Sequence, residues 1–286
     1  MKTVNTLSII CITSLLGACG SANTTDIKSE LPLNPPPVEN SNVFQPNVLT
    51  TWQWQLLIPN GETLNSSYNV DVYDVDLFDT SISQINALQA NGRKVICYFS
   101  AGSYEHWRID ESQFPQEALG NNLDGWEGER WLDIRLSSVH EIMEARIEYA
   151  AEKQCDGVEP DNMDAYQNNS GFNLSANDQL AFNRFIANTA HEYGLSVGLK
   201  NDLDQIEELV DYYDFAVNEQ CFEYDECDAL IPFIDAGKPV FNAEYHDDYV
   251  SNDQNRTALC KAANALQLST LILPLDLDDE FRYSCL

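Results

Sequence analysis

The stretch CDGVEPDNMDAY, residues 155–166, gathers Glu159, Asp161 and Asp164 where an apolar segment gives out. Further along, FAVNEQC presents Glu219 after another apolar run, and GLKND presents Lys200, Asn201 and Asp202 between the two. Buried carboxylates are costly without partners, so acids at the ends of apolar runs need a reason to be there. Several carboxylates converging on a groove, with no obvious Ser-His-Asp set, suit glycosidic-bond hydrolysis. That reaction needs one carboxylic acid to protonate the leaving oxygen and a second to act as nucleophile or base. Adjacent residues of one strand cannot hold two carboxyls across a fixed gap, so the pair must come from different strand ends. Asp161 and Glu219 meet that condition best.

The elements that must position them alternate. Candidate strands are TWQWQLLI, VDVYDVDLF, KVICYFSA, DGVEPDNM, LSVGLKND, DFAVNEQ, KPVFNAEY and STLILPLD. Helically spaced segments separate most of them, including SISQINALQANG, SVHEIMEARIEYAAEKQ and SANDQLAFNRFIANTAHEYG, the last running from a Ser or Asn cap to Gly194. Strands alternating with helices imply parallel βαβ units, and eight units close into an α/β fold of the (β/α)8 TIM-barrel type. An open doubly wound sheet is the alternative, but no glycine-rich fingerprint follows the first strand. Active sites of such barrels sit at the C-terminal strand ends. There the second strand would offer Asp74, Asp76 and Asp79, the third Tyr98, Ser100 and Ser103, the seventh Glu244, Tyr245 and His246, and the eighth Asp276.

VICYFSAGSYEHWR, DGVEPDNMDAY, GLKND and FAVNEQC, in that order, resemble glycoside hydrolase family 114, with the likeness running from about Thr51 to Leu275. The resemblance implies a TIM barrel acting as an endo-α-1,4-polygalactosaminidase. It implies a catalytic pair of an Asp after strand four and a Glu after strand six, here Asp161 and Glu219. Asp161 would be the nucleophile and Glu219 the general acid and then base. Glu159, Asp164, Asp76, Tyr98, Lys200, Asn201, Glu244 and Tyr245 are the expected substrate-binding residues, with Trp107 and Tyr166 as further stacking candidates. No cofactor or metal is expected: DVYDVD and DLDDEF lack calcium-loop spacing, and the four histidines (His106, His140, His191, His246) do not cluster.

Lys and Arg number 15 against 46 acids, a net charge of −31. Such a field repels nucleic acid and anionic membrane surfaces and attracts cationic partners, among them a galactosamine polymer with free amines. A non-catalytic carbohydrate-binding barrel, an adhesive surface lipoprotein and a hydrolase of a different amino-sugar polymer remain as alternatives. The first would lose one of the two carboxylates, and the second would carry a plainer barrel mouth.

The N-terminus carries Lys2, a short apolar run and Leu16-Gly17-Ala18-Cys19. This describes a secretory signal peptide over 1–18. Its end resembles a bacterial lipobox, which implies cleavage before Cys19, lipidation of that cysteine and, with Gly20 next, an outer-membrane destination. Residues 19–50 are polar and proline-bearing and read as a flexible tether, with the folded domain over 51–286. Six later cysteines suit an oxidising compartment, with Cys221–Cys227 and Cys260–Cys285 the pairs that proximity suggests.

Overall fold

In each strand, alternate residues face the barrel interior and the surrounding helices. Val95, Cys97 and Phe99 pack outward with Val158, Val197 and Leu199 into the layer beneath the helices. Trp52, Trp54, Val72, Ile96, Phe215, Val217, Phe241, Ala243 and Leu271 form the separate inner core. That parity is fixed by sequence, and it carries Asp74, Glu159, Asp161, Lys200 and Glu219 onto the inner face.

The computed structural model describes residue 28 and residues 30–59 and 62–286. The signal segment 1–18 and Cys19 lie outside the described residues. All eight expected strands form: β1 (Trp52–Gln55), β2 (Val72–Asp76), β3 (Lys94–Ser100), β4 (Gly157–Asp161), β5 (Ser196–Lys200), β6 (Phe215–Glu219), β7 (Val240–Glu244) and β8 (Ser269–Ile272). They are parallel neighbours in that order. The chain is an α/β TIM barrel. Its seam has a feature that the sequence reading lacked: β9 (Tyr283–Ser284) pairs antiparallel with the free edge of β8. From the same C-terminal segment Arg282 Nη2 donates to the Trp52 carbonyl at 2.7 Å, and the Trp52 indole donates to the Ser269 carbonyl at 2.7 Å.

The helix from Ala176 begins on the expected Ser175 cap. Capping boxes at Ser81 and Ser175 start α1 (Ile82–Ala90) and α3 (Ala176–Glu192), and α2 (Ser137–Glu152) lies between them. Gly194 follows α3 at φ +78°, the left-handed position that glycine takes without strain.

Two regions depart from expectation. Between β3 and α2 the chain forms a small antiparallel sheet of Ser103–Glu105, Glu129–Leu132 and Leu119–Asn122, which roofs one side of the barrel mouth. Residues 33–40, within the stretch expected as a free tether, are instead held along α3. The Leu33 carbonyl and the Asn34 side chain accept from Arg184, Val38 N donates to Asn188, and Asn40 donates to the His191 carbonyl. A proline-rich extended segment makes no hydrogen bonds of its own, so the helix side chains supply them. The cysteines pair as Cys97–Cys155, Cys221–Cys227 and Cys260–Cys285.

Candidate active site

Lys200 stands at the centre of the mouth, 3% exposed. Its ammonium lies 3.0 Å from Asp161 Oδ1, 3.0 Å from Glu219 Oε2 and 3.6 Å from Glu159 Oε1. It also sits 5.0 Å over the Trp54 ring, a cation–π contact from β1. Burial alone would lower the Lys200 pKa, but the charges of Asp161, Glu219 and Glu159 hold it well above the ordinary lysine value. Lys200 is therefore a permanent cation that gathers carboxyls from two neighbouring strands.

Each acid has a second support. The Tyr98 hydroxyl donates to Asp161 Oδ2 at 2.9 Å, and the Tyr245 hydroxyl donates to Glu219 Oε1 at 2.5 Å. Burial and the adjacent carboxylate push both phenols well above their usual pKa, so both stay protonated donors. Asn201 accepts from the Glu219 backbone at 3.1 Å and points its amide at Glu219 Oε2, 3.4 Å away.

The backbone turns sharply at the three strand ends. Asn162, Asn201 with Asp202, and Gln220 follow Asp161, Lys200 and Glu219 directly, and all four have positive φ, from 48° to 61°. Left-handed backbone at non-glycine residues is uncommon and concentrates at functional sites. Asparagine tolerates it best, which suits two of the four positions. Gly102 secures the first turn. Its N–H donates to the Asp161 carbonyl at 3.0 Å, and a Cβ there would lie 1.7 Å from the Asn162 carbonyl oxygen.

These groups open onto a cleft of about 380 Å³. Trp54, Tyr98, Asp161, Asn162, Asp164, Lys200, Asn201 and Glu219 line its floor and sides, while Asn122, Asp124, Trp126, Glu129 and Trp131 line it from the roof. Burial and the Asp161 charge raise the Asp164 carboxyl to about 6. Burial and the Glu105 and Asp161 charges raise Glu129 to about 7, against a lowering hydrogen bond from Ser103. The roof residues were missed in sequence because their segment carries no strand-end signal; only the aromatics Trp126 and Trp131 hinted at a sugar face.

Of the expected site residues, Asp161, Glu219, Lys200, Asn201, Tyr98 and Asp164 line the cleft, and Tyr245 reaches it through Glu219. Three do not. Asp76 is held bidentate by Arg108, at 3.0 and 2.6 Å, and also accepts the Phe78 and Asp79 amides. Glu244 sits one residue from Tyr245 and so faces away from the mouth, accepting the Phe222 amide at 3.0 Å beneath the Cys221–Cys227 loop. Burial raises its carboxyl to about 7. Glu159 is 0% exposed, below the cleft floor and out of reach of a substrate. Trp107 packs against His106 and Tyr166 lies near Asp202, neither of them lining the cleft. Among the described residues no cluster of three or more His, Cys, Asp or Glu side chains could hold a metal ion.

Two carboxylates from different strand ends thus meet at one fixed cation in an aromatic-lined groove on a TIM barrel, and by its family the chain is a glycosidase. It belongs to glycoside hydrolase family GH114, whose match spans residues 34–286. Among solved structures it is similar to Aspergillus fumigatus Ega3 in complex with galactosamine, at 41% identity over 88% of this chain and 100% of that chain, with a TM-score of 0.81. It also shares the fold of the glycoside hydrolase domain of PelA from Pseudomonas aeruginosa, at 12% identity over 82% and 97% of the two chains, TM-score 0.62. No curated protein sequence matches. The family match begins at residue 34, so it takes in most of the strap along α3.

Proposed function

We propose that the protein hydrolyses α-1,4-linked galactosamine polymer, with Asp161 as nucleophile and Glu219 as general acid and then base. The observation that carries this reading is the Lys200 bridge. Two 3.0 Å contacts through one nitrogen keep these two carboxyl oxygens no more than about 6 Å apart, which is compatible with the roughly 5–5.5 Å carboxyl separation of retaining glycosidases. Lys200 and Tyr98 each donate to one oxygen of Asp161 and fix the direction from which it would attack the anomeric carbon. Glu219 protonates the leaving oxygen, and its carboxylate then takes the proton of the incoming water as the sugar leaves Asp161.

The likeness to Ega3, solved with galactosamine, supports an amino-sugar substrate. The cleft agrees with it: Asp124, Glu129 and Asp164 are among its lining residues, within a chain of net charge −31 that attracts a cationic polymer. We further propose export and lipid attachment at Cys19. That residue precedes Lys28 by nine positions, a reach of at most about 30 Å. Lys28 pairs with Asp133 at 3.3 Å, just before the start of α2 and so at the catalytic rim. Among the described residues no helix is long and apolar enough to cross a membrane.

Product release from de-N-acetylated galactosamine polymer tests the reading. The wild-type chain should release soluble oligomers, and Asp161→Asn and Glu219→Gln should each lose about 10³-fold or more in kcat with unchanged thermal melting. A wild type that binds the polymer and cleaves neither it nor its acetylated form would make the protein a binding module instead.

A further inference from the structure

Below the Lys200 centre lie two carboxyls that the two-acid reaction does not consume. Asp74 on β2 and Glu159 on β4 both point into the barrel, and both are 0% exposed. They are close electrostatic neighbours, the Asp74 charge being one of the causes that raise the Glu159 carboxyl. The nearest cation is the Lys200 ammonium, 3.6 Å from Glu159 Oε1. All four carboxyl oxygens are buried without a hydrogen-bond partner. A carboxylate can only accept, so two ionised carboxylates in contact in a dry site repel each other with nothing between them. One proton turns the same contact into a short, charge-assisted O–H···O⁻ bond.

We propose that Asp74 and Glu159 share a single proton across the working pH range and act as one singly charged unit that positions Lys200 between Asp161 and Glu219. The surroundings fit. From β1 comes the uncharged Trp54, from β3 the neutral phenol of Tyr98, from β4 Asp161, from β5 Lys200 and from β6 Glu219. The one cation therefore faces Asp161, Glu219 and the pair, and a fully ionised pair would add a charge that nothing balances. Burial raises Asp74 to about 7, and burial together with the Asp74 charge drives Glu159 well above its ordinary value. The two groups titrate as a pair, so neither value belongs to one residue alone. The proposal makes Glu159 a positioning residue, acting through Lys200 and not on the sugar. Its kinetic consequence rests on the Asp161–Glu219 assignment, whereas the shared proton does not.

Two readouts separate these. In infrared difference spectra at neutral pH in D2O, wild type minus Asp74→Asn and wild type minus Glu159→Gln should each show the carbonyl stretch of a protonated carboxylic acid. That band is lost in both variants, because the remaining carboxyl ionises. Both substitutions are isosteric, and neither readout requires the other variant to fold. In the pH profile of kcat/KM, each single variant still carries one negative charge, so the basic limb should stay within a few tenths of a unit of wild type. The double variant removes that charge and should move the limb down by about one unit, about 1.4 kcal/mol. Absence of the protonated-acid band from both difference spectra would overturn the shared proton, even in an inactive protein. A basic limb displaced by Asp74→Asn alone as far as by the double variant would overturn the single charge.

Discussion

Two buried ion clusters flank the barrel mouth, built on opposite principles. In one, Arg108 grips Asp76 and Glu105 while Arg146 grips Asp110 at 2.8 and 2.9 Å, caps the Ser100 carbonyl at 2.7 Å and lies 3.6 Å from Glu105. Both guanidiniums also stack on Phe78, 4.8 and 5.2 Å from its centroid. Two forked cations there hold Asp76 and Asp110 in bidentate geometry and Glu105 through Oε1. In the other, one point-charge ammonium is shared among Asp161, Glu219 and Glu159. Arginine saturates planar partners, while lysine leaves carboxylate lone pairs free. The first cluster is architecture; the second has acceptor capacity left for a substrate.

The contrast breaks first at the acids themselves. Asp161→Asn or Glu219→Gln should abolish turnover and spare the fold, as stated above. In the arginine cluster, Arg146→Ala strands Asp110 and should cost about 3–5 kcal/mol of stability, read as a fall in urea midpoint. Its activity should fall only as the folded fraction falls. An Arg146→Ala protein that melts like wild type but has lost kcat would erase the distinction between the clusters.

Gly102→Ala should combine the two signatures more mildly. The new Cβ must displace the Asn162 turn that aims Asp161, so kcat should drop about tenfold or more with a smaller loss of stability. A larger fall in melting temperature than in turnover would mean that the turn serves folding more than aim.

The pH dependence follows from the acids whose pKa values burial has raised: Glu129 to about 7, Asp164 to about 6, Asp202 to about 8 and Glu244 to about 7. Each binds its proton more tightly folded than unfolded. Their contribution to stability is therefore full below the unfolded carboxylate range and is lost as pH rises through about 6 to 8. Melting temperature should decline from pH 5 to pH 8.5. The smallest effect is expected at the roof, where Trp126→Ala should raise KM several-fold and leave kcat nearly unchanged.

Much of this was legible in the sequence, and the failures are instructive. The apolar runs gave all eight strands, and polar residues directly after them gave Asp161, Lys200 and Glu219. Period-two parity was available in VFNAEY and, applied there, separates Glu244 from Tyr245, which the strand-end reading had grouped. Asp76 could not be sorted from the same information. Its partner Arg108 lies 32 positions later, in a loop whose path depends on tertiary packing. The roof sheet carried no periodic signal, and the proline-rich strap read as a tether because its anchors, Arg184 and Asn188, sit on a distant helix.

The most direct test of the two-acid assignment uses the Glu219→Gln variant with an oligomeric α-galactosaminyl fluoride, whose leaving group needs no acid. Fluoride should be released in a single burst, and mass spectrometry should find the enzyme heavier by the glycosyl group, attached at Asp161. A glycosyl group on a different carboxyl, or steady turnover to the inverted sugar with no adduct, would contradict the account.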